Sequence, residues 1–191
     1  MGIYLNPDSS KFEEAVNSDI YVDKTGLLTY TNSVLHTMQK YICISRPRRF
    51  GKSTAANMLT AYYSRGCDAE QIFSQFEIAK DSGFKKYLNK YNTISVNMQE
   101  ILSRSRSIYE LIERFNKLLI RDLKKEYPDV DYFDDTDVIE CMQDVYSQKK
   151  QAFIVILDEW DCIFREYKED KEAQEKYLDF LRDLLKDKAY I

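Results

Sequence analysis

The chain has little of what staples small proteins together. Its 191 residues include a single histidine, His36, and four cysteines, Cys43, Cys67, Cys141 and Cys162, none of them in a CxxC pair. Such spacing argues against a zinc site and against a disulfide framework, and it suits reduced thiols in a cytosol. His36 reads as an ordinary surface or core residue. Three prolines and five glycines leave no flexible linker, and there is no repeat or low-complexity segment. No apolar run approaches the ~20 residues of a membrane-crossing helix. The longest, Ala152 to Leu157, has the length of a strand. Asn6, Pro7 and Asp8 interrupt the start, so no signal peptide is read there. A net charge of −4 excludes a global basic field that would draw the chain to nucleic acid or membrane. The expectation is a soluble cytoplasmic protein without a membrane partner.

What is present is core material and alternation. Apolar residues make up 44 % of the chain, enough for a real core, and the 15 tyrosines read as core and core-rim residues. Short helices are expected over 11–17 and 27–37. An apolar run, Tyr41 to Ser45, reads as a strand. It is followed by a basic loop and a helix in which Ala55, Met58, Leu59 and Tyr62 recur at helical spacing, with Gly66 as a stop. Thr93 to Asn97 reads as a second strand. Ile108, Leu111, Ile112, Phe115, Leu118 and Leu119 mark a long amphipathic helix closed by Pro128. Val138, Met142 and Val145 mark another helix, and Phe153 to Leu157 reads as a buried parallel strand. A last helix carries Tyr177, Leu178, Leu181, Leu184 and Leu185, and Ala189-Tyr190-Ile191 resembles the first step of another strand. This alternation predicts an α/β fold, a three-layer sandwich around a mostly parallel sheet. Residues 1–38 are expected to form a lead-in and 39–191 the core of a single domain, incomplete at its C-terminal end.

Two motifs carry chemistry. Gly51, Lys52 and Ser53 fit the end of G-x-x-x-x-G-K-[ST], placed between a strand and a helix as that phosphate-binding loop requires. The candidate nucleotide-binding segment is Arg46, Pro47, Arg48, Arg49, Phe50, Gly51, Lys52, Ser53 and Thr54. Loop and helix N-terminal N–H groups would point at phosphates. Gly51 permits close backbone approach, and Lys52 would bridge the β- and γ-phosphates. Ser53 would offer its hydroxyl to Mg²⁺, and Thr54 could bond the α-phosphate. Arg46 stands where the first glycine of the motif is usual. Whether Arg46, Arg48 and Arg49 pair phosphates or acidic side chains is left open by the residues.

The second motif is the apolar run Phe153 to Leu157 ending in Asp158-Glu159. Asp158 would hold Mg²⁺ opposite Ser53, and Glu159 would orient and deprotonate the attacking water. Trp160 reads as packing, and Asp161 as either a supporting acid or a solvated loop residue. Tyr21 to Thr25 reads as a structural turn, with a wall of the base pocket as the alternative. The motifs are 106 positions apart, unlike a minimal nucleotide kinase.

Tyr21-Val22-Asp23-Lys24-Thr25, Arg46 to Ser53, and Leu157-Asp158-Glu159-Trp160-Asp161 together resemble the predicted AAA-ATPase-like family of bacteria. The resemblance covers essentially the whole chain. It implies a P-loop NTPase that uses ATP and Mg²⁺, with Lys52 and Glu159 catalytic and Ser53 and Asp158 at the metal. In that family an arginine at the position of Arg46 is normal. Members often carry a C-terminal nuclease-like domain, but no nuclease motif occurs here. The class also implies a further strand between the phosphate-loop strand and the Asp-Glu strand. The chain stops where that strand would begin, so a truncated gene product or a partial chain, with weak or absent hydrolysis, is the expectation.

The function expected is ATP binding with Mg²⁺-dependent hydrolysis. The alternative is a nucleotide-gated switch or scaffold that hydrolyses slowly and regulates an attached or partner nuclease-like module. A nucleic-acid-processing face is the weakest reading, since Lys and Arg are scattered among acids. A homo-oligomer is left open.

Overall fold

The computed structural model describes residues 2–45, 50–186 and 188–191. Its centre is a parallel ladder of two strands, β1 (Asn92–Asn97) and β2 (Phe153–Asp158). Asn92 lies opposite Phe153 and Asn97 opposite Asp158. The register therefore brings both strand C-termini to the same end of the ladder. The N-terminal segment runs along the outer edge of β1. Asn6 N–H donates to the Thr93 carbonyl at 2.8 Å, and Ser95 N–H donates to the Tyr4 carbonyl at 2.9 Å. The buried Asp122 carboxylate holds that segment from behind, accepting the N–H groups of Tyr4 and Leu5.

Alternation along β2 sends its side chains toward two helical clusters, but the strand is less buried than its apolar run predicts: Phe153 is buried, while Ile154 to Asp158 are half-buried and line a cavity. Phe153, Val155 and Leu157 pack with α7 (Ile108–Glu126), α8 (Val138–Lys149) and α10 (Lys171–Leu185), around Phe115, Met142, Tyr177 and Leu184. Ile154 faces the second cluster, formed by α1 (Ser10–Val16), α2 (Gly26–Val34) and α3 (Lys52–Tyr63), with Phe12, Leu28, Met58, Tyr62 and Phe73. The long helices start where side chains satisfy their free N–H groups. Ser107 accepts from Glu110 N–H, Asp137 from Ile139 N–H and Asp170 from Ala173 N–H. The one-turn helices α4 (Glu70–Phe73) and α5 (Phe84–Tyr87) add Phe73 and Phe84 to the second cluster, and α6 (Met98–Leu102), after β1, adds Met98, Ile101 and Leu102 to the first. A further short helix, α9 (Cys162–Glu166), follows β2.

The α/β class holds, but two expected strands do not form. Tyr41 to Ser45 is extended and exposed, and it joins no ladder among the described residues. A strand exists only where a neighbour supplies partners for its N–H and C=O groups. Here Tyr41–Ser45 and β2 both line one cavity, and the ladder holds only β1 and β2 among the described residues. Ala189 and Tyr190 lie in a turn rather than a strand. The Tyr190 ring is buried, its hydroxyl donates to the Leu184 carbonyl at 3.0 Å, and its carbonyl accepts Phe153 N–H at 2.6 Å. The helix expected over 27–37 stops at Val34, because Leu35 turns extended and His36 takes a φ of +62°.

Candidate functional site

The site forms where α3 starts and β2 ends. Gly51 caps α3 with φ +74°, a left-handed conformation that an L side chain adopts only at a cost. The next residue, Lys52, opens the helix. No acidic residue occupies its first turn, so the positive end of the helix is uncompensated there. Ser53 is exposed and Thr54 half-buried on that same turn. Phe50 is exposed ahead of it. Arg46, Pro47, Arg48 and Arg49, all expected at the site, lie outside the described residues.

At the far wall, Asp158 closes β2. Its Oδ1 accepts Glu159 N–H at 3.0 Å. Glu159 itself turns into the left-handed region, at φ +51°. Lys52, Asp158 and Glu159 line one cavity of about 840 Å³, together with Ala55, Leu59 and the apolar flank of β2. Ser53, Thr54 and Gly51 stand on the neighbouring turn rather than in its lining. Trp160 is held by its backbone, whose carbonyl accepts the Tyr177 hydroxyl at 2.8 Å, while its ring meets Phe164 edge-on. Trp160 nonetheless stays exposed and lines the same cavity as Lys52.

Three further groups make contacts at the site. Arg165, on α9, donates through Nη2 to Glu159 Oε2 at 2.6 Å and to Gln99 Oε1 at 3.1 Å, and through Nη1 to Asp161 Oδ1 at 2.6 Å. Asp161 is thus a supporting acid. The four-residue spacing of Asp161 and Arg165 is the one signal that could have found this pair. The third group is Lys24, whose ammonium donates to the Phe50 carbonyl at 2.9 Å. The turn around Lys24 is structural. Asp23 accepts the N–H groups of Thr25 and Glu77, and the buried Thr25 hydroxyl accepts Ile78 N–H. Burial opposes ionisation of Asp23, but those N–H bonds outweigh it and hold the carboxyl below its ordinary range.

Ser53 carries a hydroxyl and Asp158 a carboxylate, hard oxygen donors of the kind magnesium prefers, but only Asp158 lines the cavity, and Ser53 is exposed on the neighbouring turn. Among the described residues no three His, Cys, Asp or Glu side chains converge as a dedicated metal cage. Magnesium bound with a nucleotide does not need such a cage. No helix among them is long and apolar enough to cross a membrane.

A family model described as predicted AAA-ATPase matches residues 9–189. No curated protein and no solved structure matches the chain.

Proposed function

The chain belongs to the predicted AAA-ATPase family, and from that premise we propose that it binds ATP with Mg²⁺ between α3 and β2 and hydrolyses it. The observation that carries this reading is that Lys52, Asp158 and Glu159 all line one cavity. A lysine following a left-handed glycine at a helix start, facing an Asp-Glu pair at a strand end, is what phosphoryl transfer to water needs. Lys52 neutralises the polyphosphate, the α3 N–H groups cradle it, and Thr54 bonds it alongside. Ser53 and Asp158 would hold the magnesium ion, which when bound offsets charge on the phosphate oxygens. Glu159 orients the attacking water and takes its proton.

The contact between Glu159 and Arg165 refines this picture. With its carboxylate engaged by a guanidinium at 2.6 Å, Glu159 is free to hold a water only once that pair opens. Hydrolysis is therefore gated by rearrangement around α9. The two cores on either side of β2 suit the α/β sandwich of such ATPases, and the free thiols suit a reducing cytoplasm.

Calorimetric titration with ATP and GTP, with and without Mg²⁺, on wild type and Lys52→Ala tests the reading. Wild type is expected to take up ATP in a Mg²⁺-dependent manner and Lys52→Ala to lose it. Equal heats for both proteins would refute it. Glu159→Gln is expected to keep binding and lose turnover. Unchanged slow turnover in that variant would favour a nucleotide-gated switch instead.

A further inference from the structure

We propose that Lys24 is a second phosphate-contacting lysine, reaching from the turn before α2 to bind the polyphosphate of a nucleotide beside Lys52. The assignment rests on the nucleotide reading above and names a residue that reading does not use. Three observations support it. The Lys24 ammonium donates to the Phe50 carbonyl, the last peptide before Gly51. A Cβ placed on Gly51 would collide with Lys24 Nζ, so the glycine leaves the space that the lysine occupies. Among the described residues that carbonyl is the one hydrogen-bond partner of the ammonium, and no carboxylate pairs with it.

The electrostatics give the contact a purpose. The Phe50 carbonyl that holds the ammonium lies one residue ahead of the Gly51 cap of α3, and the start of a helix favours anions. An ammonium carries three donors, and Phe50 uses one, which leaves two for phosphate oxygens. The rest of the segment is rigid, because Asp23 and Thr25 are tied to the backbone of Glu77 and Ile78. Lys24 is thus presented to the loop from a fixed support, and ordering it on binding costs little side-chain entropy. The ligand chemistry is a nucleoside di- or triphosphate, discriminated from a monophosphate by charge beyond the first phosphate.

The test is titration calorimetry on the full chain with ATP, ADP, AMP and inorganic tripolyphosphate, for wild type, Lys24→Met, Lys24→Gln and Lys52→Ala. Glutamine can still donate to the Phe50 carbonyl but carries no charge, so it separates a phosphate contact from a tether. Both Lys24 variants are expected to weaken ATP, ADP and tripolyphosphate by about tenfold or more, the scale of a lost charge-assisted bond. AMP is expected to change by less than about threefold. Thermal unfolding checks that each variant is folded, and if Lys24→Met fails to fold, Lys24→Gln carries the test. Polyphosphate affinity lost in Lys52→Ala but unchanged in Lys24→Gln overturns this assignment alone. Equal weakening of AMP and tripolyphosphate overturns it as well. No uptake by wild type overturns the nucleotide reading and this assignment with it.

Discussion

Replacing Arg165 with alanine should destabilise the fold and release Glu159 at the same time. Arg165 and Glu159 keep only 25 and 26 % of their side-chain surface exposed. Arg165 bonds Glu159, Asp161 and Gln99. Charge-assisted bonds contribute about 1.5–3 kcal/mol when buried, whereas exposed pairs contribute about 0–1 kcal/mol. At this intermediate exposure Arg165→Ala should cost about 2 kcal/mol, including the half-buried Glu159 carboxylate left without its partner. For a chain of this length that corresponds to a fall in Tm of roughly 4–8 °C. The decisive measurement is a double-mutant cycle of Arg165→Ala with Glu159→Gln, followed by urea unfolding. A coupling of about 1–2 kcal/mol is expected. A coupling below about 0.3 kcal/mol, within the additivity expected of independent sites, would refute the clamp and with it the gating of Glu159.

Three further outcomes follow from the structure. Asp122→Ala strands the Tyr4 and Leu5 N–H groups and should cost about 2–4 kcal/mol, with accelerated amide exchange at Asn6. Full protection of Asn6 in that variant would show that Asp122 does not dock the N-terminal segment. Cys43 is exposed, whereas burial pushes the thiols of Cys67, Cys141 and Cys162 up to about 11. A thiol–disulfide reagent at mild alkaline pH should modify Cys43 first, and ATP should slow that reaction, because Cys43 lines the same cavity as Lys52. Comparable rates at all four thiols would contradict this. The Asp23 carboxyl is held below its ordinary value in the folded chain, so its contribution is complete above the unfolded value and is lost as pH falls through the lowered one. Asp23→Asn should flatten the dependence of Tm on pH across that acidic window, and an unaltered profile would count against it.

The sequence shows its structure most clearly where a periodic pattern matches a buried face. Phe115, Leu119 and Leu123 on α7, and Tyr177, Phe180 and Leu184 on α10, follow the helical repeat and are all buried. Phe153 to Leu157 becomes β2 as its apolar run demands. Tyr41 to Ser45 has equally good strand composition, yet strand formation depends on a neighbour that composition does not encode. The one-turn helices α4 and α5 are too short to display any period, and single residues such as Phe73 and Phe84 anchor them. The same division runs through the site. Lys52, Asp158 and Glu159 belong to local motifs and are readable one segment at a time. The contacts of Lys24 with Phe50, and of Arg165 with Glu159 and Gln99, exist only after folding, across 26, 6 and 66 positions of sequence.

The outer rim of β2 shapes how the molecule behaves in company. Away from β1, its peptide groups make one bond, from Phe153 to Tyr190, among the described residues. The remaining groups, flanked by apolar side chains, form a template of about one strand's length that is adhesive in a single direction. Crowded or warmed solutions should therefore lose protein through strand exchange between molecules before the helices melt. An added peptide of alternating valine and threonine should compete for that rim and keep the protein dispersed.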